Sequence, residues 1–358
     1  MASVSTVQEG VKNSEKLYAT GKEAAKEDAH IVTEAQVGVC YGTMGDNLAR
    51  PKHVLRLFAP NNITKVRLLE PNKKTLEALK GKNVDVLLGV PNKEIALLSN
   101  SSAVAEKWVS QNVKPYVDSK VQIKYIVVGN ELSQNNENFN VFLLSLEAMK
   151  NVQNALRKQW LKDIKVTTSC DTSVIVQTGA HPGPSTMRFR NESVPLLKDI
   201  FKFLSRNGAP FMVSMYPYYE LIKHPNEIKP EFALFTAQDD NALTDGQLRY
   251  QNKFDVMLDG FYTALENEGY PNIEIVVSET GWPSAGGLAA SLENEKTYVT
   301  KLVQHVNKGT LKRPNKPIQV YFNLLDENQR GRPIIEKNFG VFTSDAKIKF
   351  PNAFNPSS

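Results

Sequence analysis

The stretches Tyr125-Ile126-Val127-Val128-Gly129-Asn130-Glu131 and Ile273-Glu274-Ile275-Val276-Val277-Ser278-Glu279 decide how this chain folds. Each is a short, β-branched apolar run bounded by turn residues, the pattern of a strand buried on both faces in a parallel sheet. Each also ends in a carboxylate, which has no place inside a packed core. In parallel α/β folds the C-terminal ends of the strands are where ligands bind. Two carboxylates delivered to that end of one domain suit chemistry on a glycosidic bond. One gives a proton to the leaving oxygen, and the other attacks the anomeric carbon or activates water.

Outward from these two runs, strands and helices alternate. Strand-like runs lie near 37–41, 63–69, 84–90, 122–130, 164–169, 211–216, 273–278 and 317–323. Helical spacing is clearest over 102–114, 139–158, 193–206, 251–267 and 291–306. In 139–158, for example, Val141, Leu144, Met149, Val152 and Leu156 recur on one face. Eight strand–helix steps predict an α/β fold of the (β/α)8 TIM-barrel type, a single domain with an insertion, 217–250, after strand 6. An open doubly wound sheet would carry an early phosphate-binding glycine motif. Tyr41-Gly42-Thr43-Met44-Gly45 matches it poorly. In a barrel, Glu131 closes the fourth strand and Glu279 the seventh, so the two face each other across its mouth. The insertion is expected to build one wall of a cleft there.

The remaining features narrow the class. The 358 residues carry a net charge of +5, with lysines scattered rather than blocked, so no nucleic-acid partner is expected. Cys40 and Cys170 are the only cysteines and are expected to be buried free thiols. The five histidines show no metal-ligand spacing, and neither a metal nor an organic cofactor is expected. Residues 1–35 read as a polar leader, disordered or loosely helical, ahead of a glycosidase domain over 36–358. That leader lacks the apolar core of a secretory signal, and no stretch is long enough to span a membrane. As written, the sequence predicts a cytoplasmic protein and a monomer. Trp282 and Tyr216, at strand exits, are candidates for stacking on sugar rings. Tyr219, Trp108 and Trp160 are expected to pack, and Phe254, Phe261 and Tyr262 to be core.

Longer motifs carry a resemblance. Gly38-Val39-Cys40-Tyr41-Gly42, Leu88-Gly89-Val90-Pro91-Asn92, Val128-Gly129-Asn130-Glu131, Tyr216-Pro217-Tyr218, Asp245-Gly246-Gln247, Val276 to Ser284 and Asp326-Glu327-Asn328-Gln329 stand in one order from Val37 to Phe354. With them the chain resembles the plant glucan endo-1,3-β-glucosidases of glycoside hydrolase family 17. The resemblance implies a (β/α)8 barrel, a retaining hydrolase, a β-1,3-glucan substrate and, for an exported member, a secreted or vacuolar location. By motif, Glu131 is then the proton donor and Glu279 the nucleophile. Asn130 would hold the 2-hydroxyl, and Glu327 would be a supporting acid. Arg330 stands where the family has lysine, a planar fork in place of a point charge. Tyr41, Tyr216 and Trp282 join the substrate-binding set. The chain departs from the pattern at Leu69 (usually Tyr), Ser214 (usually Asn), Leu325 (usually Phe) and the loop after Glu131. Two alternatives therefore stay open: a glucan-binding protein without hydrolysis, and a transferase using a small acceptor.

Overall fold

The structure is a computed structural model that describes residues 36–133, 139–178, 183–331 and 333–354. The expected leader, 1–35, lies outside the described residues, as does most of the loop that follows Ser133.

Eight parallel strand positions form the barrel: β1 (Val37–Tyr41), β2 (Lys65–Leu68), β3 (Asp85–Val90), β4 (Gln122–Val128), β5 (Lys165–Thr167 and Ser169–Asp171), β6 (Phe211–Ser214), β7 (Ile275–Thr280) and β8 (Val320–Asn323). Each pairs with its sequence neighbours, and β8 returns to β1 through Val37↔Val320 to Cys40↔Asn323. The fifth strand, expected as one run, is broken at Thr168. Its first piece pairs with β4 and its second with β6. Thr168 itself spans the break. Its hydroxyl donates to Val128 O at 2.8 Å, and its carbonyl accepts from Met212 N at 3.3 Å.

The barrel interior is filled, not hollow. Leu87, Val127, Met212, Val276 and Tyr321 form its inner cluster, all buried. Tyr321 reaches across toward β1, where Gly38 makes room: a Cβ there would lie 2.5 Å from the tyrosine ring. Side chains of opposite parity point outward and join the large core beneath the helices.

The expected helices form, with ends shifted by one or two residues: Ser102–Asn112, Phe139–Lys158, Val194–Asn207, Lys253–Asn267 and Leu292–His305. Asn252 and Ser291 cap the last two by accepting from Asp255 N and Asn294 N. The helix Lys253–Asn267 is buried from Phe254 to Leu265, so Phe254, Phe261 and Tyr262 are core as expected. Its outer side is covered by two short antiparallel pairs. Leu243–Asp245 with Leu248–Tyr250 belongs to the insertion after β6. Ile175–Gln177 with Met187–Phe189 follows β5 and had no clear signal in the sequence.

Two irregularities aim the functional ends. In β7 the register slips at Ser278, so that Val277 faces Val213 but Glu279 faces Ser214 on β6. This bulge breaks the two-residue alternation and turns Glu279 to the same side as Val276, while Thr280 turns outward to Tyr298 OH at 2.6 Å. At the exit of β4, Gly129 has φ 86° and Glu131 has φ 49°. Glycine adopts such angles freely; a glutamate does so at a cost of about 1–3 kcal/mol, which the surroundings must impose.

Candidate active site

Those surroundings are a set of hydrogen bonds around Asn130. Its backbone N–H donates to Asn92 Oδ1 at 2.8 Å, and Asn92 Nδ2 donates back to its carbonyl at 3.0 Å. One residue beyond Glu131, Leu132 is buried, and its N–H donates to Ser169 O at 3.0 Å. With its neighbours fixed on both sides, the Glu131 backbone is held left-handed and its carboxyl is brought to the barrel mouth.

Glu131 and Glu279 line one cavity of about 250 Å³, together with Tyr216, Tyr219, Asn323, Arg330, Glu336 and Phe339. Glu279 is buried, 3 % exposed, and its oxygens are held separately. Oε1 accepts from Cys40 Sγ at 3.0 Å and lies 3.3 Å from Arg67 Nη1, while Oε2 accepts from Tyr216 OH at 3.3 Å. Burial raises the Cys40 thiol and the Tyr216 phenol well above their ordinary ranges, so both keep their protons and act as donors. Tyr216 OH also lies 3.2 Å from Asn323 Oδ1.

Arg67, 1 % exposed, joins the two carboxylate strands. Its Nη2 donates to Asn130 Oδ1 at 2.6 Å and its Nη1 to Ser278 O at 3.1 Å. One guanidinium thus fixes the residue before each glutamate. The two carboxyls stand in different environments. Burial, then the charges of Glu279 and Asp171, push Glu131 up to about 8, against the opposing pull of Arg67 and Arg330. Glu131 therefore holds a proton at neutral pH.

Glu327 lies outside the cavity lining and is buried. It accepts from Met44 N and from Arg330 Nε at 2.6 Å, and so orients Arg330 toward the two glutamates. Of the residues expected around the pair, Arg330 and Tyr216 line the cavity, and Glu327 stands behind Arg330. Asn130 stands beside the cavity with its oxygen taken by Arg67.

Two expected substrate contacts are not where the sequence put them. Trp282 is fully buried, edge-on to Tyr218 at 5.1 Å and tilted against Tyr298, with its N–H donating to Ala289 O. No ring face is left for a sugar, because the chain turns its side chain under the barrel rim. Tyr41 is likewise buried. Since Cys40 faces the interior, Tyr41 faces the helix layer, where its hydroxyl meets Thr75. Conversely, Tyr219, expected to pack, lines the cavity and donates to Glu336. Trp160 is 81 % exposed, with Lys162 Nζ 5.0 Å from its ring centre, rather than packed. Trp108 is buried as expected.

Arg67, Asn323, Glu336 and Phe339 were not singled out from the sequence, and Cys40 was read only as a buried thiol. Arg67 and Cys40 carried the one usable signal, a charge and a polarizable thiol at the exits of apolar strands. Leu69, Ser214 and Leu325, the departures from the resemblance, do not line the cavity around the glutamates. Leu325 is core, bridged to Phe342. Ser214 is buried in register with Glu279, and its Oγ has no partner among the described residues.

The family model for glycosyl hydrolases family 17 matches residues 37–354. The chain belongs to this family. It is 41 % identical over 333 residues to the glucan endo-1,3-beta-glucosidase, acidic isoform GL161, of Nicotiana tabacum, spanning 91 % of this chain and 96 % of the relative. It is 41 % identical over 323 residues to a glucan endo-1,3-beta-glucosidase of Pisum sativum, spanning 90 % and 86 %. Among solved structures, CJP38, a beta-1,3-glucanase and allergen of Cryptomeria japonica pollen, superposes with a TM-score of 0.84 at 39 % identity, covering 89 % of this chain and 99 % of that one. The chain is therefore a glycoside hydrolase with a (β/α)8 barrel. No described helix is long and apolar enough to cross a membrane.

Proposed function

We propose that this glycoside hydrolase is a retaining endo-hydrolase of internal β-1,3-glucosidic bonds, with Glu131 as acid/base and Glu279 as nucleophile. The observation that carries the proposal is the unequal pair on one cavity: a carboxyl that keeps its proton at neutral pH and a second one clamped between an arginine, a thiol and a phenol. The activity in the names of the tobacco and pea relatives supports the linkage.

In the first half-reaction a Glu279 oxygen attacks the anomeric carbon while Glu131 gives its proton to the departing glucosyl oxygen. The C–O bond to the leaving chain breaks as the glycosyl–Glu279 ester forms. In the second half-reaction the ionised Glu131 takes a proton from water. The hydroxide equivalent attacks the same carbon and Glu279 leaves, so that configuration is retained. The donors on Glu279 fix its aim and stabilise it as the departing carboxylate. Arg330 supplies positive charge to a cavity lined by three glutamates. With its oxygen on Arg67, the Asn130 amide has its N–H groups left for a sugar hydroxyl. Tyr219 and Tyr216 offer the aromatic surface that Trp282 does not.

The departures at Leu69, Ser214 and Leu325 lie outside the cavity lining, which favours hydrolysis over a binding protein that has lost it. The test is Glu279→Ala assayed for release of reducing ends from a linear β-1,3-glucan. Loss of at least about a thousandfold is expected when the covalent route is removed. Wild-type turnover in this variant would overturn the proposal.

A further inference from the structure

Beyond the cavity, the C-terminal segment sends a buried lysine back beneath it. Lys349 has a side chain only 7 % exposed. Its ammonium donates to Ser284 Oγ at 2.8 Å and Asp326 Oδ1 at 2.8 Å, lies 3.3 Å from Glu295 Oε2, and reaches Asn338 O at 3.5 Å. Three of these four partners belong to loops at the barrel mouth: those of Asp326 and Asn338 supply Arg330 and Phe339 to the cavity lining, and that of Ser284 passes behind it, where a Cβ on Gly281 would lie 3.3 Å from the Phe339 ring and 3.7 Å from that of Tyr216. Ser284 lies in the loop that follows Glu279 and runs to the helix Leu292–His305. Asp326 directly precedes Glu327, which holds Arg330. Asn338 directly precedes Phe339, which lines the cavity and meets Tyr216 edge-on at 5.4 Å.

The same three loops are cross-tied around the ammonium. Ser284 N donates to Asn338 O at 2.9 Å, and Gly340 N donates to Asp326 Oδ1 at 3.0 Å. Asp326 is thus shared between the lysine and the loop that carries Phe339. The fourth partner, Glu295, is different. It sits on the helix Leu292–His305, which contributes no residue to the cavity lining.

We propose that Lys349 is a positioning residue for the active site, its ammonium locking the loops of Ser284, Asp326 and Asn338 so that Arg330 and Phe339 stand against the two glutamates. The inference rests on the reading of Glu131 and Glu279 as the catalytic pair. A buried ammonium suits the task because it has three donors and cannot leave any of them unpaired cheaply. Removing one of its loop partners frees that loop, whereas removing Glu295 alters the cluster from the side away from the cavity.

The test reads Arg330 through its charge. The groups facing Glu131 are Glu279, Asp171, Arg67 and Arg330, with Tyr216, Tyr219 and Glu336 in the same cavity. Arg330 holds the Glu131 midpoint down, so its withdrawal must raise that midpoint. The carboxyl of Glu131 is followed by carbon-13 NMR of glutamate-labelled protein across pH, with its signal assigned by its loss in Glu131→Gln. In Asp326→Ala the Glu131 midpoint is expected to rise by roughly half a pH unit or more, and kcat to fall about tenfold with KM little changed. Direct loss of the Asp326 charge would move the midpoint the other way, so the two causes differ in sign. Glu295→Gln is expected to leave the midpoint and kcat unchanged.

An unshifted midpoint in Asp326→Ala, or an equal shift in Glu295→Gln, overturns the positioning role. Should Asp326→Ala fail to fold, Ser284→Ala removes a neutral loop partner and is read in the same way. The NMR result needs no substrate. Absence of glucan hydrolysis by the wild type would therefore defeat the proposed function without deciding this one.

Discussion

Glu131 keeps its proton because it is desolvated and faces the charge of Glu279. A general acid works only while protonated, so the sign follows directly. Activity is present below the raised midpoint of about 8 and is lost as pH rises through it. The alkaline limb of kcat/KM on linear β-1,3-glucan is expected near that value. Glu131→Gln should abolish the limb and lower kcat by roughly 10²- to 10⁴-fold, as measured by a pH–rate profile. A retained limb in that variant would assign the titration to another group. At this scale the two glutamates were readable because a charge at the end of an apolar run contradicts its surroundings. Trp282 was misread because an aromatic residue at a strand exit can turn either to the cavity or beneath the rim. Side-chain direction after a bulge is not encoded in the strand pattern. Glu336 gave no local signal at all, since only the folding of a distant loop brings it to Glu131, and Tyr219, on the helix Pro217–Lys223, was assigned to packing because nothing local tells a cavity-lining aromatic from a packed one.

The exit of β4 shows what an element must do to present such a residue. Gly129 is left-handed, and a Cβ there would lie 2.6 Å from Leu132. Gly129→Ala should therefore cost about 1–3 kcal/mol, seen as a lower denaturant midpoint. It should also lower kcat, because any relief of the clash moves the Asn130–Glu131 turn. Stability and kcat both unchanged would show that the turn accommodates the methyl group. Most strands were legible as elements, since β3, β7 and the second half of β4, Ile126–Val128, are buried on both faces and read as apolar runs. The division of β5 was not. Lys165-Val166-Thr167-Thr168-Ser169-Cys170-Asp171 is mixed and short, and nothing in it marks where pairing changes sides. The hairpin Ile175–Gln177 with Met187–Phe189 was missed for the same reason, its three-residue strands being too brief for periodicity to register.

Across the whole molecule, closure of the barrel passes through that divided strand. The uniform ring inferred from eight apolar runs slips in register at Ser278 on β7 and is divided at Thr168, where one residue serves both neighbours through its hydroxyl and its carbonyl. Each flank contributes three paired positions there, as between β1 and β2, against six between β3 and β4 and two across the bulge between β7 and β8; what sets β5 apart is that no single run of it pairs with both neighbours. A cylinder so built has a seam. When thermal fluctuation parts the sheet short of complete unfolding, it should part at 165–171 first, much as a rolled page opens along its glued edge. Thr168→Val keeps the shape and removes the hydroxyl, leaving Val128 O unpaired at a cost of about 1–3 kcal/mol. Native-state hydrogen exchange should then quicken for amides of β5 and β6 and hardly at all for those of β2 and β3. Uniform acceleration would mean that the barrel opens only as a unit. The residue that closes the cylinder is adjacent in sequence to Ser169, whose carbonyl holds Leu132 beyond Glu131, so the place where the scaffold would loosen first lies directly behind its acid.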